Sequence, residues 1–340
     1  MTSKTAQLFL EEFTGEKAQE FFTLAQSGSA RINFVGKSAG LKYIITYNEN
    51  IAENESFYYF SQIFSDHEIQ APKVLKISEN RTLYIQEFLG NHTLSEIIEK
   101  EGLSERVKVL VKKTLQQLAD AQSKTIDLID YSKTFEYKKY DELPITNDLF
   151  YFKSFIADVL EIPYHKSSLL LEFKKLVTKI EDLQPTGLMM RDFQSRNIMV
   201  NDEDKIFFID YQSAMKGPLI YDVISFLYQA KANFPQDFKN EMLDYYFSLW
   251  EDPTIVTQLK RSVKPIQLIR FVQVLGAYGF RGLIQRKQHF ISSLDKGIEN
   301  LYAFSESWEE MEEYPELKNL ILQLKSEEIR SKIEMIIAKK

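Results

Sequence analysis

An aspartate, an asparagine five positions on, and a second aspartate closing an apolar run stand in Arg191-Asp192-Phe193-Gln194-Ser195-Arg196-Asn197 and Phe207-Phe208-Ile209-Asp210. Phosphoryl transfer from a nucleoside triphosphate needs such a set: a carboxylate to accept a hydroxyl proton, and oxygen donors to hold Mg²⁺ on the phosphates. Mg²⁺ takes hard oxygen ligands and keeps several waters, so one carboxylate and one amide oxygen suffice from the protein. The chemistry depends on convergence. Ile198-Met199-Val200 and Lys205-Ile206-Phe207-Phe208-Ile209 read as short strands about the polar turn Asn201-Asp202-Glu203-Asp204. A hairpin there places Asn197 and Asp210 at one open end. The bland alternative is a surface hairpin in which Asp192 caps a turn and Asp210 ends a strand.

The surrounding pattern changes character along the chain. Arg31–Val35, Tyr43–Tyr47, Lys73–Ile77 and Thr82–Gln86 alternate as strands do, with one helical pattern from Glu53 to Phe64. After Glu87-Phe88-Leu89-Gly90, amphipathic helices dominate over 103–123, 148–160, 168–183, 221–230, 238–250 and 265–290. The expectation is an α+β, two-lobed protein-kinase-like fold. Residues 1–88 form a small β-rich nucleotide-binding lobe, and 89–310 a larger, mainly helical catalytic and substrate lobe. Residues 311–340 form an amphipathic helical tail, which can pack on the larger lobe or offer a seam for a homodimer.

Composition narrows the partners. A net charge of −7 argues against nucleic acid, whose backbone calls for a basic footprint. The absence of cysteine excludes disulfides and thiolate metal sites. His67, His92, His165 and His289 are not at metal-ligand spacing, so zinc is not expected. The start runs into Glu11-Glu12 without the apolar core of a signal peptide, and no apolar run is long enough to span a bilayer. A cytoplasmic chain with no membrane partner is expected.

Two motif look-alikes fail on context. Gly36-Lys37-Ser38 ends like a phosphate-binding Walker loop, but the position five before Gly36 is Arg31 rather than Gly. Gly36-Lys37-Ser38-Ala39-Gly40 also spells G-x-S-x-G, which needs a following helix. The β-branched and aromatic run from Leu41 to Tyr47 predicts a hairpin turn instead. Ser27-Gly28-Ser29-Ala30-Arg31 fits phosphate binding better, because small residues let backbone amides approach closely. Gly-Ser turns are also ordinary loop punctuation.

Arg191–Met199, Ile209-Asp210-Tyr211-Gln212 and Gly217-Pro218-Leu219-Ile220-Tyr221-Asp222 together resemble the aminoglycoside phosphotransferase/choline kinase superfamily. Their form is most similar to the anomeric kinases of the cell-wall amino sugars N-acetylmuramate and N-acetylglucosamine. The resemblance implies ATP and Mg²⁺ as cofactors, Asp192 as catalytic base, and Asn197 and Asp210 as metal ligands. It implies that Ser27, Gly28, Ser29 and Arg31 approach the nucleotide. Glu87 and Leu89 would offer backbone groups to adenine, with Arg191 and Asp222 in supporting roles. Two departures stand out: Met190 replaces a frequent histidine, and Tyr43–Tyr47 lacks the central lysine that contacts phosphates in many kinases. Glu55 is the expected helix acid that would pair with such a lysine.

Arg196, Arg270 and Arg281 are the candidate substrate contacts, since an arginine can read a sugar carboxylate through two hydrogen bonds. A merely solvated polar helix face explains Arg270 and Arg281 equally well. The reading is an N-acetylhexosamine 1-kinase of cell-wall sugar salvage. Its alternatives are an aminoglycoside or other small-alcohol phosphotransferase, and a pseudokinase binding module.

Overall fold

The computed structural model describes residues 2–25 and 30–338. Its first elements are α1 (Ser3–Thr14), β1 (Glu20–Thr23), β2 (Ile32–Ser38), β3 (Leu41–Tyr47), α2 (Ile51–Asp66), β4 (Val74–Ile77) and β5 (Leu83–Glu87). They are followed by β6 (His92–Thr93), α3 (Leu94–Glu101), α4 (Glu105–Thr125), α5 (Glu142–Phe152) and α6 (Lys166–Glu181). Then come β7 (Thr186–Met189), β8 (Ile198–Val200), β9 (Ile206–Phe208), β10 (Met215–Pro218) and α7 (Ile220–Leu227). The chain closes with α8 (Gln236–Ser248), α9 (Pro253–Tyr278), α10 (Gln288–Ser307), α11 (Pro315–Gln323) and α12 (Glu327–Ala338). This is the expected mixture of a β-sheet N-terminal region and a helical C-terminal region. No helix among the described residues is long and apolar enough to cross a membrane.

Packing divides the chain into two compact units, 1–138 with 190–215 and 139–189 with 216–340. The stretch that carries Asp192, Asn197 and Asp210 therefore packs with the sheet-bearing unit. The lobe boundary at residue 88 follows the change in sequence pattern and stays a proposal.

In the first unit an antiparallel sheet runs in the order β1-β2-β3-β5-β4. Alternation gives it two distinct faces. Phe34, Ile45, Leu83 and Ile85 form one face and bury Ala6 and Leu10 of α1. The sequence reading missed α1 and β1, although Thr2 caps the helix start and Gly15, at φ 74°, ends it. The other face presents Tyr84 to α2, where its ring lies 5.2 Å from those of Phe57 and Tyr58. Strands β2 and β3 join through Ala39 and Gly40, both at positive φ, so Lys37 and Ser38 belong to the strand. Such a two-residue turn matches the right-handed twist of the strands it connects.

A three-stranded sheet in the order β6-β8-β9 completes this unit. Its turn is held by the Asn201 side chain, which accepts hydrogen bonds from the Glu203 and Lys205 amides at 3.0 and 2.9 Å. Arg106 on α4 clamps Asp204 of the same turn at 2.7 Å.

The helical unit differs from the expected pattern in two places. The single helix expected over 265–290 is instead α9, a π-helical stretch (Gly279–Ile284) and α10, with Arg286 at positive φ in the break. A second π-helical stretch (Lys153–Asp158) follows α5. The two stretches approach so closely that a Cβ on Gly279 would lie 2.3 Å from the Phe155 carbonyl oxygen. The tail forms two helices rather than one. Leu317, Leu320, Ile321, Ile329 and Ile333 are buried, so much of the face expected to serve as a homodimer seam is covered by the chain's own residues.

Gly90, just after β5, has φ 136°, and an added Cβ would lie 3.0 Å from the Val200 carbonyl oxygen of β8. Gly90→Ala is expected to destabilise the protein by ~1–3 kcal/mol through backbone strain and displacement of β8. Thermal unfolding checks this; an unchanged midpoint contradicts it.

Candidate active site

Arg191 has φ 71°, and the Asp192 amide donates to the Met190 carbonyl at 2.8 Å across it. This is a γ-turn of the positive-φ kind, which is rare and strained. Strain of that kind costs ~1–3 kcal/mol and persists only where surrounding bonds over-determine the backbone. Here the Asn197 side-chain amide donates to the Asp192 carbonyl at 2.8 Å, and the Asn197 backbone amide to Gln194 at 2.8 Å. Phe193 is buried with its ring 5.1 Å from that of Phe208. Asp192 is thus presented on a loop fixed on both sides.

The hairpin behaves as its sequence requires. Ile198 pairs with Phe208 and Val200 with Ile206, and the Ile209 amide donates to the Asn197 carbonyl at 3.0 Å. That last rung brings the side chains of Asn197 and Asp210 together, with Asn197 Nδ2 3.2 Å from Asp210 Oδ2. Asp210 is itself in the left-handed region at φ 65°, which an aspartate tolerates better than most residues.

Asp210 meets a cation from the sheet. Arg31 Nη2 donates to Asp210 Oδ1, and Arg31 Nη1 donates to Gln212 Oε1 at 3.1 Å. Gln212 Nε2 returns to Asp210 Oδ1 at 3.0 Å. Burial pushes the Asp210 carboxyl up. The Arg31 charge and hydrogen bond, together with the Gln212 bond, overcome that and hold it below the ordinary carboxylate value. A depressed carboxylate stabilises the fold fully above its unfolded value of about 4, and this contribution is lost as pH falls through the lowered one.

Behind these polar groups lies an aromatic wall. The Tyr211 ring stacks on Phe57 at 5.1 Å, and its hydroxyl lies 2.8 Å from Ser61 Oγ on α2. Ser56 of the same helix donates to the Gln212 carbonyl at 2.7 Å. The two residues that follow Asp210 are therefore both tied to α2.

Asn197 and Asp210 suit Mg²⁺ by donor chemistry, offering an amide oxygen and a carboxylate. The Asn197 bonds described above run through Nδ2, which leaves Oδ1 available as a ligand. No cluster of three or more His, Cys, Asp or Glu that could hold a metal occurs among the described residues.

The remaining candidates are placed unequally. Ser27, Gly28 and Ser29 lie outside the described residues, in the chain between the paired strands β1 and β2. Glu87 ends β5, and its carboxylate accepts from the Lys73 amide at 3.0 Å, so only its backbone is suited to adenine. Arg196 is exposed, and Arg281 packs over the Phe290 ring at 5.3 Å. Arg270 is not an exposed substrate contact. It is 5% exposed, and its guanidinium bonds Tyr221 and Ser225 of α7 at 2.9 and 2.8 Å, tying that helix to α9. Asp222 is fully buried in the first turn of α7. Glu55 pairs with Arg81, at 2.7 Å to Nη2, and does not face the site. Glu53, two residues earlier, does: its Oε1 lies 3.5 Å from Arg31 Nε. Sequence offered no signal to choose between the two glutamates, because the choice depends on the rotation of α2.

The sequence profile of the phosphotransferase enzyme family (APH) matches residues 29–261. The chain belongs to this family. It is accordingly an enzyme, a kinase-like phosphotransferase. No curated protein sequence matches the chain. Among solved structures it is similar to the choline kinase LicA from Streptococcus pneumoniae, with TM-score 0.60 and 12% identity over 88% of this chain and 100% of that one. A Plasmodium vivax ethanolamine kinase aligns with TM-score 0.55 and 18% identity over 84% and 82% of the two chains. A thermostable mutant of aminoglycoside phosphotransferase APH(4)-Ia, solved with ADP and hygromycin B, aligns with TM-score 0.56 and 18% identity over 86% and 98%. At these identities the likeness establishes the protein-kinase-like fold.

Mg²⁺ added with ADP is expected to raise the unfolding midpoint of the wild type beyond ADP alone. The metal-dependent part of that shift should vanish in Asp210→Ala. Equal shifts in both proteins would contradict the metal assignment.

Proposed function

We propose that this phosphotransferase is an ATP- and Mg²⁺-dependent kinase acting on a sugar hydroxyl, and specifically on the anomeric hydroxyl of an N-acetylhexosamine. The observation that carries the phosphoryl-transfer chemistry is the meeting of Asn197 and Asp210 at the open end of one hairpin, with Asn197 also bonded to the backbone of Asp192. The narrower sugar reading is supported by the sequence around these residues, in the form Arg191–Met199 followed by Asp210-Tyr211-Gln212 and Tyr221-Asp222.

In this mechanism Asp192 accepts a hydrogen bond from the acceptor hydroxyl and orients it in line with the γ-phosphorus. As the sugar oxygen bonds to phosphorus, the bond from phosphorus to the ADP oxygen breaks and Asp192 takes the hydroxyl proton. Asn197 and Asp210 would hold Mg²⁺, which when bound supplies neutralising charge to the phosphate oxygens. Asn197 has a second task. Its bond to the Asp192 carbonyl couples the position of the base to the position of the metal ligands. Asp222 and Arg191 support the loop in this reading, and the backbone at Glu87 and Leu89 meets adenine.

A second reading is favoured by the structural neighbours that act on choline, ethanolamine or an aminoglycoside: a different small alcohol as acceptor. The tested ligands should therefore include amino sugars, choline and aminoglycosides. An amino sugar is expected to give acceptor-dependent ADP release, and phosphorus NMR should show an acid-labile anomeric phosphate. An ordinary alcohol phosphate would move the assignment to the second reading. Asp192→Ala should lower kcat by about 10²–10⁴-fold while ATP affinity stays near wild type. Undiminished turnover in that variant would overturn the role of Asp192.

A further inference from the structure

Strand β3 has no lysine at its centre, yet it has a position for one there; Lys42, near its start, lies over the Phe88 ring at 5.2 Å. The face of the sheet turned away from α1 carries Asn33, Thr46, Tyr84 and Gln86, since their neighbours Phe34, Ile45, Leu83 and Ile85 fill the opposite core. Thr46 occupies the middle of that face. It is 1% exposed, donates to Asn33 Oδ1 at 2.8 Å and accepts from Gln86 Nε2 at 3.3 Å. A cation is nevertheless present on the same face. Arg31 lies two residues before Asn33, and by alternation it points the same way. Beside Arg31 are Tyr84 on β5 and Glu53 on α2.

The Arg31 guanidinium bridges two carboxylates from different elements. Nε faces Glu53 Oε1 at 3.5 Å, Nη1 donates to Gln212 and Nη2 to Asp210. Glu53 is held in turn, because its Oε2 accepts from Asn48 Nδ2 at 2.9 Å, and Asn48 and Asn54 exchange bonds at 3.1 and 3.0 Å. The acid on the helix is therefore anchored independently of Arg31, while the far edge of the guanidinium rests on a candidate metal ligand.

We propose that Arg31 is the phosphate-facing cation of this enzyme, delivered from the start of β2 in place of a lysine at Thr46, with Glu53 as the carboxylate that positions it. The assignment rests on the kinase reading and adds to it the residue that holds the α- and β-phosphates. Before nucleotide binds, Arg31 and Gln212 hold the Asp210 carboxylate in place. Once Asp210 turns its oxygens to a divalent cation, Nη2 becomes available to a phosphate oxygen while Nη1 stays anchored on Gln212, a charge-assisted contact for which a guanidinium is well suited. One guanidinium between two carboxylates leaves a net negative site, which attracts the divalent cation, while the guanidinium itself is the group that offsets phosphate charge.

Equilibrium binding of ATP and of adenosine, followed by calorimetry with and without Mg²⁺, tests the assignment in wild type, Arg31→Lys, Arg31→Met and Glu53→Gln. Arg31→Met should weaken ATP binding by at least about tenfold, as expected for loss of a charge-assisted phosphate contact, and leave adenosine binding unchanged. Arg31→Lys should recover much of the loss, and Glu53→Gln should weaken ATP but not adenosine. Circular dichroism confirms that each variant is folded. Equal weakening of ATP and adenosine in Arg31→Met would make Arg31 a structural tie and overturn the proposal. So would ATP affinity equal to wild type. A wild-type protein that binds neither ATP nor ADP would overturn the kinase reading and this assignment together, whereas failure of Arg31→Met alone would leave the kinase reading in place.

Discussion

A buried-side carboxylate must be balanced by a cation, and at Asp210 that cation is Arg31. The pair joins residues 179 positions apart in sequence, and the other parts of the candidate site are arranged about it. The residue just before β2 supplies the guanidinium, α2 supplies Glu53 as its second partner, and the segment after β9 supplies Asp210 and Gln212. Removing any one of these contacts leaves a charged group short of a partner in a partly desolvated place. Such loss costs more than the pair contributes when intact, which makes the arrangement specific rather than merely stabilising.

Apolar packing holds the charged groups in register. Tyr211 is inserted between the two residues that engage Arg31, and its ring is fixed against Phe57 and Phe64 at 5.1 and 4.8 Å. Because the ring is fully buried, Asp210 and Gln212 on either side of it have little freedom to move. The left-handed backbone of Arg191 and Asp210 is maintained in the same way. Each is a strained residue with a buried aromatic close behind it in the chain, Phe193 two residues after Arg191 and Tyr211 directly after Asp210. The polar residues of the site thus alternate with aromatic anchors along the chain.

The helical unit shows why arginines on a polar-looking helix face are hard to read. Arg270 falls where a solvated or substrate-facing cation would fall, yet it is buried against the Tyr221 ring at 5.0 Å and bonded to Ser225. Its partners lie on α7, a helix buried along its whole length, and periodicity within α9 carries no information about a neighbour's hydroxyl groups. The π-helical stretches are similar. Gly279 permits a close backbone approach to Phe155, but a lone glycine in a helical pattern does not reveal what approaches it.

Local features were legible in the sequence. The hairpin about Asn201–Asp204, the strands of the sheet and the five-residue interval between Asp192 and Asn197 follow from alternation, turn chemistry and spacing, which act over a few residues. Because a hairpin brings its own ends together, the meeting of Asn197 and Asp210 was implied before any tertiary contact was known. The identity of the cation on Asp210 was not implied. Sequence showed a strand without a lysine at its centre and placed Arg31 near the nucleotide. It did not distinguish Glu53 from Glu55 or connect Arg31 to Asp210. Those outcomes depend on the rotation of α2 and on where the start of β2 lies against the end of β9. Such long-range placement is decided by the packing of whole faces, and only the tertiary structure contains it.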